Sequence, residues 1–427
     1  MKQITKTVVI NYIVSRLYRF LFPLLKYRKK IELFYLYDEY VECKYKYKFL
    51  KYIPFYKEIK ERPVVSKELY KKHEEKNWEN KYKLFLPKYK MNTGGSTGEP
   101  YEFLVSLKCG LIDDLHQEMQ HRKMGFLKND KLYVINGCEI SDLDRKNSKF
   151  WNVKSKNELP FGSKEFSSHY LNDKTVLIYL EELKRNPPQF IRSYPSVFVY
   201  LTKLLIDSDY KCPPLKLKGI QLTSEITSKQ DHDFLISYWG DIIYFQYGHS
   251  EAATIASKYP GEDCYTFSPI YGEVEILDEN NNPAREGDVG RIVVTSMHNI
   301  VRPFIRYDTG DLAKFKSNKN GVTKVYDILG RQQDTVLDKN NNKISVTGLV
   351  FGQHFKAFKN ITNWQIENFS PGLLNVKIIK GCNYSDEDNN EIINKLSFND
   401  SFVVSIEFVD EIKKTKRGKH KLVVSQC

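Results

Sequence analysis

Two runs of residues carry the clearest chemistry in this chain. Asn92-Thr93-Gly94-Gly95-Ser96-Thr97-Gly98-Glu99-Pro100 places three glycines and three hydroxyl residues in nine positions. The backbone N–H groups of such a loop can surround phosphate oxygens, and the hydroxyls add donors. No Gly-Lys-Ser/Thr follows, so this is not the phosphate loop of nucleoside triphosphatases; a Gly/Ser-rich surface turn is the plain alternative. The second run is Arg302-Pro303-Phe304-Ile305-Arg306-Tyr307-Asp308-Thr309-Gly310-Asp311. Asp311, at the end of a glycine turn, suits a bidentate grip on vicinal ribose hydroxyls, as acids do in dinucleotide sites. A charged β-turn is its bland counterpart.

Three weaker signals accompany them. Tyr247-Gly248-His249-Ser250-Glu251 follows an apolar run ending in Phe245 and Gln246. A carboxylate one turn beyond a strand is placed for a hard cation, and Mg²⁺ keeps only one or two protein carboxylates when it also holds phosphate. The tyrosine offers a flat face to a base. Gly330-Arg331-Gln332-Gln333-Asp334 follows the strand-like run 324–329. Thr415-Lys416-Arg417-Gly418-Lys419-His420-Lys421 reads, taken alone, as a solvated basic tail.

These groups need rigid elements beneath them. Residues 1–85 read as helical and basic, rich in Lys, Tyr and Glu and poor in Gly. From about Lys90 the texture changes to short apolar runs between Gly, Pro, Asn and Asp turns. Strands are expected at 131–136, 219–222 and 242–246, with a helix over 196–205 opening after Pro195. Strands alternating with helices indicate an α/β sheet whose ligands bind beyond the strand ends. Residues 271–311 read as all β, with strands at 272–277 and 291–295 around the turn 279–283. After about residue 334 a polar loop, 338–343, leads into a short α+β pattern. No internal repeat is visible.

The 427 residues suit two unequal domains, and 41% hydrophobic residues can fill a core. A net charge of +13 favours anionic ligands without choosing among them. The 29 Tyr and 25 Phe interleave with Lys and Asn over the whole chain, which reads as composition bias. Without a basic stripe or RNA-binding motif, no nucleic-acid partner is expected. Seven scattered cysteines form no Cys-x-x-Cys pair, so neither a disulfide framework nor a zinc site is indicated. No small-residue cleavage site follows an apolar core near the N-terminus, so no signal peptide is expected. The apolar stretch from Val8 to Leu25 carries Arg16 and Arg19 mid-run, against a spanning helix. It reads as a helix packed on the main domain or one lying on a membrane. A cytoplasmic location is expected, at the inner membrane face if that helix binds lipid.

The order and spacing of the five motifs resemble the adenylate-forming superfamily, which includes acyl-CoA synthetases, peptide-synthetase adenylation domains and luciferase-type enzymes. The resemblance runs from about residue 50 to the C-terminus. It is closer to the phenylacetate–CoA ligase branch and its capsular-polysaccharide relatives. That similarity rests on Ile53-Pro54-Phe55-Tyr56, Tyr194-Pro195-Ser196, and the run from Gly272 to Asp278 continued by Val293-Val294-Thr295.

The resemblance implies an α/β fold: a large N-terminal adenylation domain with an attached β region, plus a small, mobile C-terminal α+β domain. Its parts would be a helical segment 1–85, an ATP- and acid-binding core 86–333, and the C-terminal domain 334–427. It implies that Thr93, Gly94, Gly95, Ser96, Thr97 and Gly98 hold the ATP phosphates. Thr223, Ser224 and Glu225 would contact adenine, Tyr247 would stack on it beside Gly248, and Asp311 with Arg331 would hold the ribose. Glu251 and Thr97 would bind Mg²⁺, and Asn136, Gly137, Tyr194, His249 and Ser250 would line the pocket for a small carboxylic acid. Lys419 matches the lysine that bridges the acid carboxylate and the α-phosphate. A cation there offsets the meeting of two anions, and stabilises charge building in the transition state by roughly 3–4 kcal/mol.

Two departures stand out. Tyr101 follows Pro100 where many relatives have Lys, and Gln333 stands where many carry the acidic hinge residue, with Asp334 next to it. The segment 335–344 also lacks the Arg-Gly turn usual in CoA ligases. The expected reaction is adenylation of an acid, then acyl transfer in surface-polysaccharide synthesis to a sugar amine or hydroxyl, or to a carrier. Plain CoA ligation is the nearest alternative, and a non-catalytic nucleotide-binding scaffold the one from another class.

Overall fold

The computed structural model describes residues 26–38, 53, 55, 62–73, 78–80, 86–92, 102–227, 229–296, 298–331, 335–346, 355–357, 360–397, 400–412 and 422–425. The Gly/Ser/Thr loop 93–98, the Gln333 and Asp334 pair, Lys419 and the stretch 8–25 lie outside them.

Within the described part of the N-terminal segment, residues 26–36 and Lys67–Lys72 are helical. Strands β1 (Lys88–Asn92) and β2 (Glu102–Ser106), which precede and follow residues 93–101 in sequence, form an antiparallel pair. Helix α1 (Leu107–Lys123) starts where Ser106 Oγ accepts the Cys109 N–H, satisfying one of the orphan donors of its first turn.

The next strands are β3 (Leu132–Asn136), β4 (Trp151–Glu158), β5 (Gly162–Ser167), β6 (Phe190–Ser193), β7 (Gly219–Thr223) and β8 (Ile243–Gly248). Helices α2 (Val176–Arg185), α3 (Pro195–Asp207) and α4 (Lys229–Trp239) connect β5 to β6, β6 to β7 and β7 to β8. Strands joined through such crossovers run parallel, as β5, β3, β6, β7 and β8 do in that spatial order. The helix expected after Pro195 has that proline in its first turn, where a missing N–H costs nothing. Ile191, Ile220, Leu222, Ile243 and Phe245 face the three helices in one core.

Beyond β8 the same sheet continues antiparallel through β9 (Ile255–Lys258), β10 (Tyr265–Phe267), β11 (Gly272–Leu277), β12 (Val289–Ser296), β13 (Tyr307–Lys319) and β14 (Val322–Arg331). The twelve strands lie in the order β11-β12-β13-β14-β10-β9-β8-β7-β6-β3-β5-β4. The β region read from the sequence is thus an extension of the main sheet over a second core that includes Val274, Ile276, Val294 and Phe304. One detail differs: the end of that run, Tyr307 to Asp311, is not a turn but lies within β13. Gly310 at φ +76° and three register shifts against β14 let the strand bend without ending.

A third core lies C-terminal to these two. Strands β15 (Thr335–Leu337) and β16 (Lys343–Ser345) form a hairpin, and β17 (Ile361–Ser370), β18 (Leu373–Lys380), β19 (Val403–Phe408) and β20 (Val423–Ser425) form a sheet in the order β19-β18-β17-β20. Helix α5 (Asp386–Leu396) packs Ile392 and Leu396 into it. This is the small α+β domain expected from the sequence. Lys203 on α3 donates to the Ile361 carbonyl at the start of β17.

Candidate functional site

The C-terminal ends of β3, β6, β7 and β8 gather most of the described candidates. Asn136 ends β3; its amide donates to Glu165 Oε1 at 3.2 Å and its carbonyl oxygen accepts the Cys138 N–H, folding the chain at Gly137. Tyr194 is the N-cap of α3 and caps nothing with its own side chain. That task falls to Glu225, whose Oε2 accepts the Ser196 N–H at 3.1 Å. A carboxylate suits the positive end of a helix. Thr223, at the end of β7, is paired in register with Gln246 of β8, and Ser224 after it holds φ +71°. A non-glycine residue there is strained, and such strain clusters at binding loops.

β8 ends in Tyr247 and Gly248, and the chain then turns through His249, Ser250 and Glu251, closed by Ala252 N–H to the His249 carbonyl at 3.1 Å. The Tyr247 hydroxyl donates to Asp311 Oδ2 at 2.7 Å. Strands β9, β10 and β14 separate β8 from β13 in the sheet. Four flat strand spacings would hold them about 19 Å apart, so the sheet must curve to bring these side chains together. Burial, then the Asp311 charge, raise the Tyr247 hydroxyl far above its ordinary pKa, so it stays a donor. Asp311 is also the register partner of Arg331 on β14.

Glu251, in the turn that follows β8, is 7% exposed. One of its oxygens accepts the Tyr307 hydroxyl at 3.0 Å, and His249 Nδ1 lies 3.3 Å from the other. Burial alone would raise the carboxyl, but His249, the local backbone and Tyr307 outweigh it and hold it at about 2. Glu251 is therefore an anion at neutral pH. A buried carboxylate kept ionised, near the candidate nucleotide groups, fits a Mg²⁺ that is otherwise held by phosphate and water.

Tyr307 was not singled out from the sequence, although it lies inside the Arg-Tyr-x-Thr-Gly-Asp run. Neither were the polar residues of β7 and β8, Gln221, Tyr244 and Gln246. Their signal was present: glutamines interrupting otherwise apolar strands. Among the described residues no group of three His, Cys, Asp or Glu side chains is placed to hold a metal by itself.

Comparison with solved structures bears on this geometry. The chain is similar to a 2-hydroxyisobutyryl-CoA ligase in the postadenylation state, in complex with R3-HIB-AMP, with TM-score 0.59 and 14% identity over 85% of this chain and 80% of that one. It has the adenylating-enzyme fold. An anthranilate CoA ligase in complex with anthranoyl-AMP gives TM-score 0.51 and 15% identity, covering 77% of this chain and 64% of the other. An acyl acid amido synthetase in complex with 2,4-DB gives TM-score 0.51 and 15% identity, covering 81% and 80%. The family model described as the CapK C-terminal domain matches residues 338–426. No curated protein matches the chain.

Proposed function

We propose that this protein is an AMP-forming acid ligase that adenylates a small carboxylic acid and passes the acyl group to an acceptor in surface-polysaccharide synthesis. The observation that carries this reading is that β13 is tied twice to the end of parallel strand β8 and the turn after it, through Asp311 to Tyr247 and through Tyr307 to Glu251. In such α/β sheets ligands bind beyond the strand ends. Asp311 would take the ribose hydroxyls through charge-assisted hydrogen bonds, the stronger kind. Tyr247, with its hydroxyl already given to Asp311, keeps its ring for the base.

In the reaction a carboxylate oxygen of the acid attacks the α-phosphorus of ATP. The bond from that phosphorus to the bridging oxygen breaks and pyrophosphate leaves, giving acyl-AMP. Glu251, with Thr97, would hold Mg²⁺, which when bound neutralises phosphate charge. Lys419 would stand between the two anions that must approach. A lysine is suited to this because it is a point charge on a flexible stem that a moving domain can deliver and withdraw.

The polysaccharide assignment is supported by the capsule-family match of the C-terminal part. A second reading, ligation to CoA, is favoured by the CoA ligases among the similar structures. Incubation with ATP, Mg²⁺ and a panel of acids should release AMP and pyrophosphate in equal amounts with an active acid. Release of ADP and phosphate instead would reject an AMP-forming ligase.

A further inference from the structure

We propose that the acid this protein adenylates is a polar one, carrying hydroxyl or amino groups beyond its carboxylate, and that a row of buried side chains between α1 and the parallel sheet reads them. The inference rests on the adenylation reading and adds the substrate class. Parallel strands buried on both faces are normally apolar throughout. Here the face of β6, β7 and β8 toward α2, α3 and α4 is apolar apart from Ser193, and the other face is not. The face toward α1 carries Arg192 on β6, Gln221 and Thr223 on β7, and Tyr244 and Gln246 on β8. Register places them side by side: Arg192 with Gln221, Gln221 with Tyr244, and Thr223 with Gln246.

Helix α1 answers with polar groups of its own. Gln117, Gln120 and His121 are buried, and the His121 ring meets that of Tyr244 edge-on at 5.8 Å. Asp113 accepts the Tyr271 hydroxyl at 2.8 Å. Some bonds close within the layer: Gln221 Nε2 donates to Gln246 Oε1 at 2.9 Å, and Gln120 Nε2 to Ser257 Oγ at 2.5 Å. Arg192 Nη1 donates to the Pro160 carbonyl at 3.2 Å.

Others find no partner among the described residues: Arg192 Nε, Gln221 Oε1, Gln117 Oε1, the Tyr244 hydroxyl and His121 Nε2. Buried polar groups in folded proteins are almost always satisfied. A run of orphans holding both donors and acceptors is arranged for something that supplies both. Burial also lowers the Arg192 pKa, so the guanidinium gains from an acceptor brought to it. The row reaches the nucleotide end of the sheet, where Thr223 and Gln246 adjoin Ser224 and Tyr247. An acid with its carboxylate there would extend its substituents along the row. An alkyl or aryl acid would strip these groups of water and leave them unpaired; hydroxyl and amino groups can pair with them.

The test uses wild-type protein and pairs of acids matched in size: glycerate against 2-methylbutyrate, serine against 2-methylbutyrate, and a four-carbon sugar acid against benzoate, each scored by kcat/KM for acid-dependent ATP–pyrophosphate exchange. A site built to hydrogen-bond its substrate rejects the analogue lacking those groups strongly, so the polar members should lead by at least about 100-fold. Gln221→Leu should reduce that lead about tenfold or more while leaving the KM for ATP in place. An alkyl or aryl acid used as well as its polar partner overturns the proposal and leaves adenylation standing. An unchanged preference in Gln221→Leu overturns the assignment of the row. Exchange with no acid at all rejects the adenylation reading and this proposal with it. The wild-type comparison decides even if the variant fails to fold.

Discussion

Tyr247 and Asp311 are joined by a 2.7 Å hydrogen bond although three strands separate their own strands in the sheet. The pair couples the proposed base-stacking ring to the proposed ribose carboxylate, so one sheet curvature sets both. Asp311→Ala is expected to weaken ATP binding by one to two orders of magnitude, about 1.4–2.8 kcal/mol, through loss of a charge-assisted bond. Tyr247→Phe keeps the ring and removes only the donor, so its effect should stay below about tenfold, or 1.4 kcal/mol. Calorimetry with ATP and 2′-deoxy-ATP checks the assignment. A wild-type protein that does not distinguish the two nucleotides has no ribose ligand at Asp311.

Glu251 gives a pH-dependent stability with a definite sign. Its carboxyl lies at about 2 in the folded protein against an ordinary 4.5. The ionised group therefore stabilises the fold above about pH 4.5, and this contribution is lost as the pH falls from there through about 2. The gap amounts to about 3 kcal/mol at neutral pH. Glu251→Gln should melt lower than wild type at pH 7, with the difference shrinking as the pH is taken below 4.5. Thermal unfolding of both proteins between neutral and acid pH measures it. A difference that stays constant with pH would show that the carboxylate is not held ionised by its surroundings.

Gly272 stands against the backbone that leads out of the Glu251 turn. A Cβ there would lie 2.1 Å from the Ala253 carbonyl oxygen and 2.9 Å from that of Thr295. Neither is the end of a flexible side chain, so the chain itself must shift. Gly272→Ala is expected to cost about 3 kcal/mol, the upper part of the usual range for overpacking, read by urea unfolding. A loss under about 0.5 kcal/mol, the scale of an ordinary surface change, would mean the close approach is not maintained.

The acceptor is expected not to be CoA. Where CoA ligases usually carry an Arg-Gly turn, this chain has the β15–β16 hairpin. Asp338 closes its loop by accepting the N–H groups of Asn340 and Asn342 at 2.8 Å each. That loop spends its polar groups on itself. With an active acid in hand, CoA or pantetheine should give no rapid thioester by mass spectrometry, while amino or hydroxyl sugars should give ester or amide. Saturable acyl-CoA formation at micromolar CoA would restore the plain ligase reading.

Much of the sheet was legible because its strands are short apolar runs bounded by turn residues, as at β3, β7 and β11. Asp311 was misplaced into a turn because Gly310 and the register shifts put turn chemistry inside a strand, which local pattern cannot distinguish. The repeated Asp-x-Asn-Asn-Asn turns at 278–282 and 338–342 escaped notice as a pair, yet Asp278 accepts the Asn280 and Asn282 N–H groups just as Asp338 does its own. The tie between Tyr247 and Asp311 depends on sheet curvature, and that between Tyr307 and Glu251 on a contact 56 residues apart. Neither is written in spacing. The 93–98 loop and Lys419 lie outside the described residues, so their roles rest on the resemblance.

The most direct measurement is acid-dependent ATP–pyrophosphate exchange, run on wild type and Lys419→Ala beside their melting temperatures. Wild type should exchange only with an active acid and Mg²⁺ present, and the variant should lose exchange while melting as wild type does. Exchange retained within about threefold in the variant, well under 1 kcal/mol of transition-state stabilisation, would contradict the role of Lys419. A wild-type protein that binds ATP yet exchanges with no acid would contradict adenylation itself and leave a nucleotide-binding scaffold.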